Sequence, residues 1–267
     1  MTTKDLIRKG RLSEARRLLV DEVKRSPADL GKRTLLFQVL AMGGEWDKAQ
    51  RHLDLISSQD PARAVGVHAY LDIVQAERER LAVMDLQQPP SIFPEPPVYS
   101  GKYMDYLEAV KTQRFDAARE IIAEIDSLRP EISGNLNGKS FDCFADTDAR
   151  LFCFLEAFIH ERYVWLPFEF IRELVVEEPK TSFDLIWVTA SITTWEGLSV
   201  NCFLPVVYPG TSEHSDEQAM TGRLSDWVPL GGGFSRGVGQ HVFQVGDEDI
   251  PILEIRQAVF NLPGGEK

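Results

Sequence analysis

Three segments of this chain share one offset between an alanine and a proline, and that repetition limits what the chain can fold into. They are RLSEARRLLVDEVKRSP, EWDKAQRHLDLISSQDP and RFDAAREIIAEIDSLRP. In each, an apolar residue (Leu12, Trp46, Phe115) precedes an alanine (Ala15, Ala49, Ala118) by three positions, and a proline (Pro27, Pro61, Pro130) follows the alanine by twelve. The first two alanines are 34 residues apart and the last two 69, one more than two such periods. Apolar residues at Ala15, Leu18, Leu19 and Val23 give a helix one sticky face. The alanine lets two antiparallel helices approach closely. Proline cannot continue a helix, so the chain must turn there.

A period of 34 with these features resembles a tetratricopeptide repeat (TPR). A generic helical bundle would not demand the same offset three times. The repeats are degenerate. The first lacks most of its opening helix, and the expected third is interrupted by QQPPSIFPEPPVYSG, residues 87–101, which holds five of the fifteen prolines and reads as a loop or extended linker.

After Pro130 the pattern changes. GNLNGKSFDCF is turn-rich. The spacing of Leu151, Phe152, Leu155, Phe158 and Ile159 then predicts a helix over about 148–162, and Pro167 suits the first turn of a short helix after Leu166. From Phe183 the composition is β-like, with one hairpin around Glu196-Gly197 and another around Gly246 to Asp249. The expected fold class is α+β in two parts. Residues 1–132 form a degenerate TPR-like helical domain, and residues 133–267 form an α+β domain with a small antiparallel barrel or bent sheet.

The chain carries a net charge of −12, unevenly placed. Residues 1–90 hold 15 Lys and Arg against 13 Asp and Glu, leaving 14 against 28 for the remainder. An acidic second half repels phosphate backbones, and the first lacks a clustered basic stripe, so no nucleic-acid partner is expected. Three cysteines (Cys143, Cys153, Cys202) form no CxxC, cannot all pair and keep aromatic neighbours, which suits small core residues in a reducing compartment. The opening MTTKDLIRKG is charged where a secretory signal would be apolar, and no apolar run is long enough to span a bilayer. A cytoplasmic protein with no membrane partner is expected.

Chemistry-bearing constellations are few. Asp142, Asp146 and Asp148 fit no calcium loop in either register, since the required glycine and glutamate positions hold other residues. They read as a helix start, with Asp146 or Thr147 as cap, Asp148 in the first turn and Arg150 as an ion-pair partner. A metal-assisted hydrolase using Asp142, Asp146, Asp148 and Arg150 is the alternative. LGGGFSRGVGQH lacks a phosphate-loop or dinucleotide spacing and reads as a glycine turn between strands, with Arg236 at the surface. None of His52, His68, His160, His214 and His241 sits in a metal-binding spacing, His160 being placed on the partly exposed side of its helix, and GxSxG is absent. No catalytic residue, metal or cofactor is expected. Trp165, Trp187, Trp195 and Trp227 crowd the second half, with core packing as their ordinary use and an aromatic partner groove as the other.

DTDAR, ERYVWLPFEFI, DLIWVTA, FLPVVYPGT, RLSDW and RGVGQHVF, in this order, resemble the ImpE family, also called TagJ or SciE-type proteins. These are accessory proteins of bacterial type VI secretion systems, and the likeness runs over nearly the whole chain. Its motif members here include Asp146, Asp148, Arg150, Trp165, Pro167, Glu169, Pro205, Pro209, Gly210 and Trp227. The resemblance implies a TPR-like part joined to an α+β part containing a barrel. It implies a non-enzymatic cytoplasmic adaptor that binds a helical segment of the small contractile-sheath subunit, with a link to the AAA+ ATPase that disassembles sheath. It supplies no binding-residue set. The usual groove positions of a helical repeat are Thr34, Gln38, His68, Asp72 and Gln75, on helices 31–42 and 64–75.

Overall fold

The computed structural model describes residues 2–264. Helices come first: α1 (Thr3–Arg8), α2 (Leu12–Arg25), α3 (Leu30–Met42), α4 (Trp46–Gln59), α5 (Ala64–Met84), α6 (Ser100–Lys111) and α7 (Phe115–Leu128). The sequence repeat maps onto them directly. Leu12, Trp46 and Phe115 open α2, α4 and α7, and Pro27, Pro61 and Pro130 each stand two residues past the end of the same helix. Ala15, Ala49 and Ala118 are fully buried.

The turns repeat as well. Gly10, Gly44 and Gln113 all adopt the left-handed conformation, with φ of 67°, 67° and 59°. After each, a backbone N–H reaches back to the end of the preceding helix: Arg11 to Leu6, Glu45 to Leu40 and Arg114 to Ala109, at 3.0, 2.9 and 2.8 Å. This is the Schellman closure, which satisfies carbonyls the helix cannot. Glycine suits the first two turns for a second reason. A Cβ on Gly10 would press into Gln218, and one on Gly44 would come within 2.6 Å of Ser212 Oγ.

The strands are β1 (Ser91–Ile92), β2 (Gly134–Leu136), β3 (Lys139–Phe141), β4 (Phe144–Asp146), β5 (Phe154–Ile159), β6 (Arg162–Pro167), β7 (Ile171–Val176), β8 (Trp187–Thr194), β9 (Ser199–Pro205), β10 (Ser225–Gly231), β11 (Phe234–Gly239), β12 (Val242–Val245), β13 (Glu248–Pro251) and β14 (Gln257–Phe260). A short helix, α8 (Glu217–Met220), lies between β9 and β10. Nine strands form one sheet in the order β1-β6-β5-β9-β8-β7-β14-β2-β3, with β10-β11 and β13-β12-β4 as smaller sheets. The large sheet does not close into a barrel. It is bent, with a register shift between Ile171 and Glu173 where β7 meets β8. The proline-rich loop is ordered onto its edge, where β1 pairs in parallel with β6.

The expected hairpins around Gly197 and Gly246 are present as β8–β9 and β12–β13. The expected helix over 148–162 is not. That stretch is a turn followed by β5, and β5 and β6 form a hairpin through His160, whose φ of 54° places it at the exposed turn and not on a helix. The apolar residues mimicked a helical spacing because β5 is buried on both faces from Phe154 to Phe158. Pro167 likewise ends β6 opposite Phe154, and a single 3-10 turn (Phe168–Phe170) leads into β7 in place of the expected short helix.

One apolar cluster joins the helical core to Leu151, Phe154, Trp165, Trp187 and Tyr208, so the helices and the sheet share a core. Replacing Ala49 by leucine should overpack the α3–α4 contact and cost about 1–3 kcal/mol. The check is a thermal melt. An unchanged melting temperature would mean that the helices do not need their close approach there.

Candidate functional site

A buried charged network lies at the seam between α5 and the sheet, and it takes in Asp146 and Asp148 from the acidic run together with residues the sequence analysis did not single out. Asp146, Asp148, Glu77, Arg80, Glu156 and His241 are all at most 5% exposed. Arg80 is the hub. Its Nε and Nη2 donate to the two oxygens of Glu156 at 2.9 and 2.7 Å, Nη2 also donates to the Val207 carbonyl at 2.9 Å, and Nη1 reaches Glu77 at 3.4 Å. Glu77 accepts a bond from Trp187 Nε1 at 2.8 Å. His241 bridges two carboxylates, with Nδ1 2.9 Å from Asp146 and Nε2 2.9 Å from Glu156. Tyr208 stacks on the His241 ring, at 3.9 Å between centroids, and donates to Asp146 at 2.9 Å. Tyr163 donates to Glu156 and receives a bond from Trp165.

The aspartates are therefore not helix caps. Asp146 accepts the N–H of Asp148 at 2.7 Å. Asp148 takes a two-point bond from Arg150, at 3.0 and 2.6 Å, and the N–H of Gly237 at 2.9 Å. The predicted Asp148–Arg150 pair is present within the turn after β4, and the bond from Gly237 to Asp148 ties that turn to β11. Asp142 lies outside this network, near Gly246 in the β12–β13 turn. The proposed set of three aspartates and Arg150 is thus not brought together. Among the described residues, no three His, Cys, Asp or Glu side chains are arranged to hold a metal ion.

Burial and neighbouring charge pull the titratable groups of this network in different directions. Burial raises the Glu77 carboxyl, with Arg80 opposing only in part. Burial would also raise Glu156, but Arg80 and then His241 outweigh it and hold Glu156 well below the usual carboxylate range. For His241, burial disfavours the charged ring, yet Asp146 and Glu156 more than offset it, and the pKa rises above 6.5. Burial raises Asp146 against the pull of His241.

Other motif residues are structural neighbours of this network. Glu169 accepts from Tyr99 at 2.7 Å. Pro205 ends β9 opposite Trp187. Gly210, after Pro209, turns with a φ of 81° and has no room to spare beside Arg236. Trp165 and Trp187 are core, Trp195 is half-buried, and Trp227 is exposed, with its Nε1 donating to Thr147 at 3.1 Å. The glycine run forms the β10–β11 turn, and Arg236 is half-buried. Cys153 and Cys202 are buried, and Cys143 is partly exposed.

The repeat face is partly occupied by the chain itself. Phe183 stacks on Tyr70 at 4.6 Å and packs on Phe37 at 5.5 Å, while Trp187 packs against Phe37 and Trp46. Gln38, expected to face the groove, is buried and donates to Ser182 at 3.0 Å. Thr34 lines the cavity that remains. Asp72 is half-buried and His68 and Gln75 are exposed, and none of the three lines that cavity.

A family model described as ImpE protein matches residues 138–259. The type VI secretion system accessory component TagJ of Pseudomonas aeruginosa is 30% identical over 260 residues, covering 97% of this chain and 91% of that protein. This chain belongs to the ImpE/TagJ family. A crystal structure of a protein from Vibrio parahaemolyticus, 20% identical, shares the fold with a TM-score of 0.87 over 98% of each chain. The ImpE/TagJ motifs acquire a physical reading from the network. DTDAR supplies Asp146, Asp148 and Arg150, ERYVW supplies Tyr163 and Trp165, DLIWVTA supplies Trp187, FLPVVYPGT supplies Tyr208, and RGVGQHVF supplies Gly237 and His241.

Sequence reasoning missed Glu77, Arg80 and Glu156. Glu156 had a visible signal, a lone carboxylate inside the apolar run FLEAFI. Replacing Arg80 by methionine should cost about 3–5 kcal/mol by removing the guanidinium that pairs with buried Glu156, and adding Glu156→Leu should recover part of that loss. The sign of the pH effect follows from His241. A raised folded pKa contributes stability that is complete below 6.5 and lost as pH rises through the folded value. Urea unfolding should therefore show stability falling above pH 6.5, with a shallower fall in His241→Asn. Parallel curves would remove His241 as the cause.

Proposed function

We propose that this chain is an accessory protein of a type VI secretion system that acts by binding, without turnover. In this reading residues 1–132 present the binding face, and residues 133–267 form the base on which that face is fixed. The partner is a helical segment of the small contractile-sheath subunit. One observation carries the reading: Asp146, Asp148 and His241 of the family motifs are buried, and they and Arg150 spend their hydrogen bonds within the chain. A catalytic centre keeps such groups within reach of a substrate. The curated relative's description as a type VI secretion accessory component supports the same class, as does a helical-repeat surface of the kind that takes up peptides and helices. No helix among the described residues is long and apolar enough to cross a membrane.

The test is a titration of this protein with a labelled N-terminal peptide of the cognate small sheath subunit, followed by assembled sheath. Saturable binding is expected, unchanged in Glu156→Gln wherever that variant remains folded. Absence of binding to both peptide and sheath would overturn the reading.

A further inference from the structure

On the rim left open beside Phe183, two cavities adjoin and share Thr34, Arg63 and Phe183. The larger, about 710 Å³, is a trough whose charged side chains are Lys4, Arg8, Arg63 and Lys180, with no carboxylate in its lining. The smaller, about 270 Å³, is an apolar slot walled by Phe37, Leu53, Ile56, Val67 and Tyr70. Four cations and no anion are unexpected on a chain of net charge −12. Two of the four cations are paired with carboxylates from outside the lining, and two are not, among the described residues. Asp60 holds Arg63 at 3.0 Å, Glu177 holds Lys180 at 3.6 Å, and Asp184 accepts the backbone N–H groups of Lys180 and Thr181 at 2.7 Å. Lys4 and Arg8 are exposed and make no salt bridge among the described residues.

We infer that this rim binds an acidic segment of a partner protein, carrying one large apolar side chain that enters the slot. The trough supplies charge complementarity, which sets the rate and selectivity of encounter. The slot supplies the desolvated anchor on which affinity depends. The inference rests on the adaptor reading for its partner class, but it names a surface and a ligand chemistry of its own. It also explains a geometric fact. The repeats' inner face is filled by Phe183, and that same ring forms one wall of the slot, so the intramolecular plug creates a new recess beside it.

The experiment uses fluorescence anisotropy with two labelled peptides, identical in a central leucine and in helix-forming background, one carrying glutamates around it and the other lysines. The glutamate peptide should bind saturably and weaken as salt rises from about 50 to about 300 mM. Arg8→Glu and Lys180→Glu should each weaken it about fivefold, and Thr34→Trp, which fills the slot's mouth, should weaken it further. Arg172→Glu, an exposed charge elsewhere, should have no effect. Equal affinity for the two peptides, or equal loss in Arg172→Glu, would overturn the inference. The same variants are then tested against the cognate small sheath subunit. Binding that ignores Arg8 and Lys180 would leave the adaptor reading standing and remove this surface. Acidic-peptide binding without sheath-subunit binding would keep the surface and remove the sheath subunit as its partner.

Discussion

The guanidinium of Arg80 is the interaction on which the arrangement of the two halves depends. It projects from α5 into the sheet and is 2% exposed, so every one of its donors needs a partner. Those partners come from α5 itself, from β5 and from the strand connection at Val207. A rigid planar fork satisfies all three only in one relative placement of helix and sheet. A buried ion pair adds little net stability over an apolar contact of the same shape. What this one adds is selectivity: an apolar seam would tolerate sliding, whereas here a shift strands a charge.

The same logic extends outward. Asp146 holds His241, Tyr208 covers the ring, and Asp148, held by Arg150, ties the turn after β4 to β11 by accepting the Gly237 N–H. The network draws its members from several family motifs, and no one motif holds them all. The three repeat turns are anchored in parallel. Gln218 donates to the Lys9 carbonyl at 2.9 Å, Ser212 packs on Gly44, and Phe115, just after the third turn, lies against Gly231 and Gly232. The helical part is thus fastened along its turns as well as at α5.

What the sequence revealed follows from the range of the forces involved. The repeat could be read because helix starts, left-handed turns and proline stops are local, acting within a few residues. The hairpins at Gly197 and Gly246 were readable for the same reason. β5 was not, because a strand buried on both faces loses its alternation, and the acidic run before it imitates a helix cap. The network was invisible for a different reason. Arg80 stands 76 residues from Glu156 and 161 from His241 in the chain. No periodicity encodes such a pairing, and the one hint was Glu156 among apolar neighbours.

That fastening also decides which part of the repeat surface is open. α5 holds the sheet through Arg80, and one turn earlier its Glu77 holds Trp187 at 2.8 Å. Trp187 and Phe183 in turn stack on Phe37, Tyr70 and Trp46. Clearing the inner face for a ligand would cost several aromatic pairs at about 0.5–1.5 kcal/mol each beyond their burial, and would leave the Glu77 carboxyl without its indole donor. A ligand that displaced the plug would have to offset both losses. The network that fixes the architecture and the location of the exposed groove are therefore two consequences of one helix, α5.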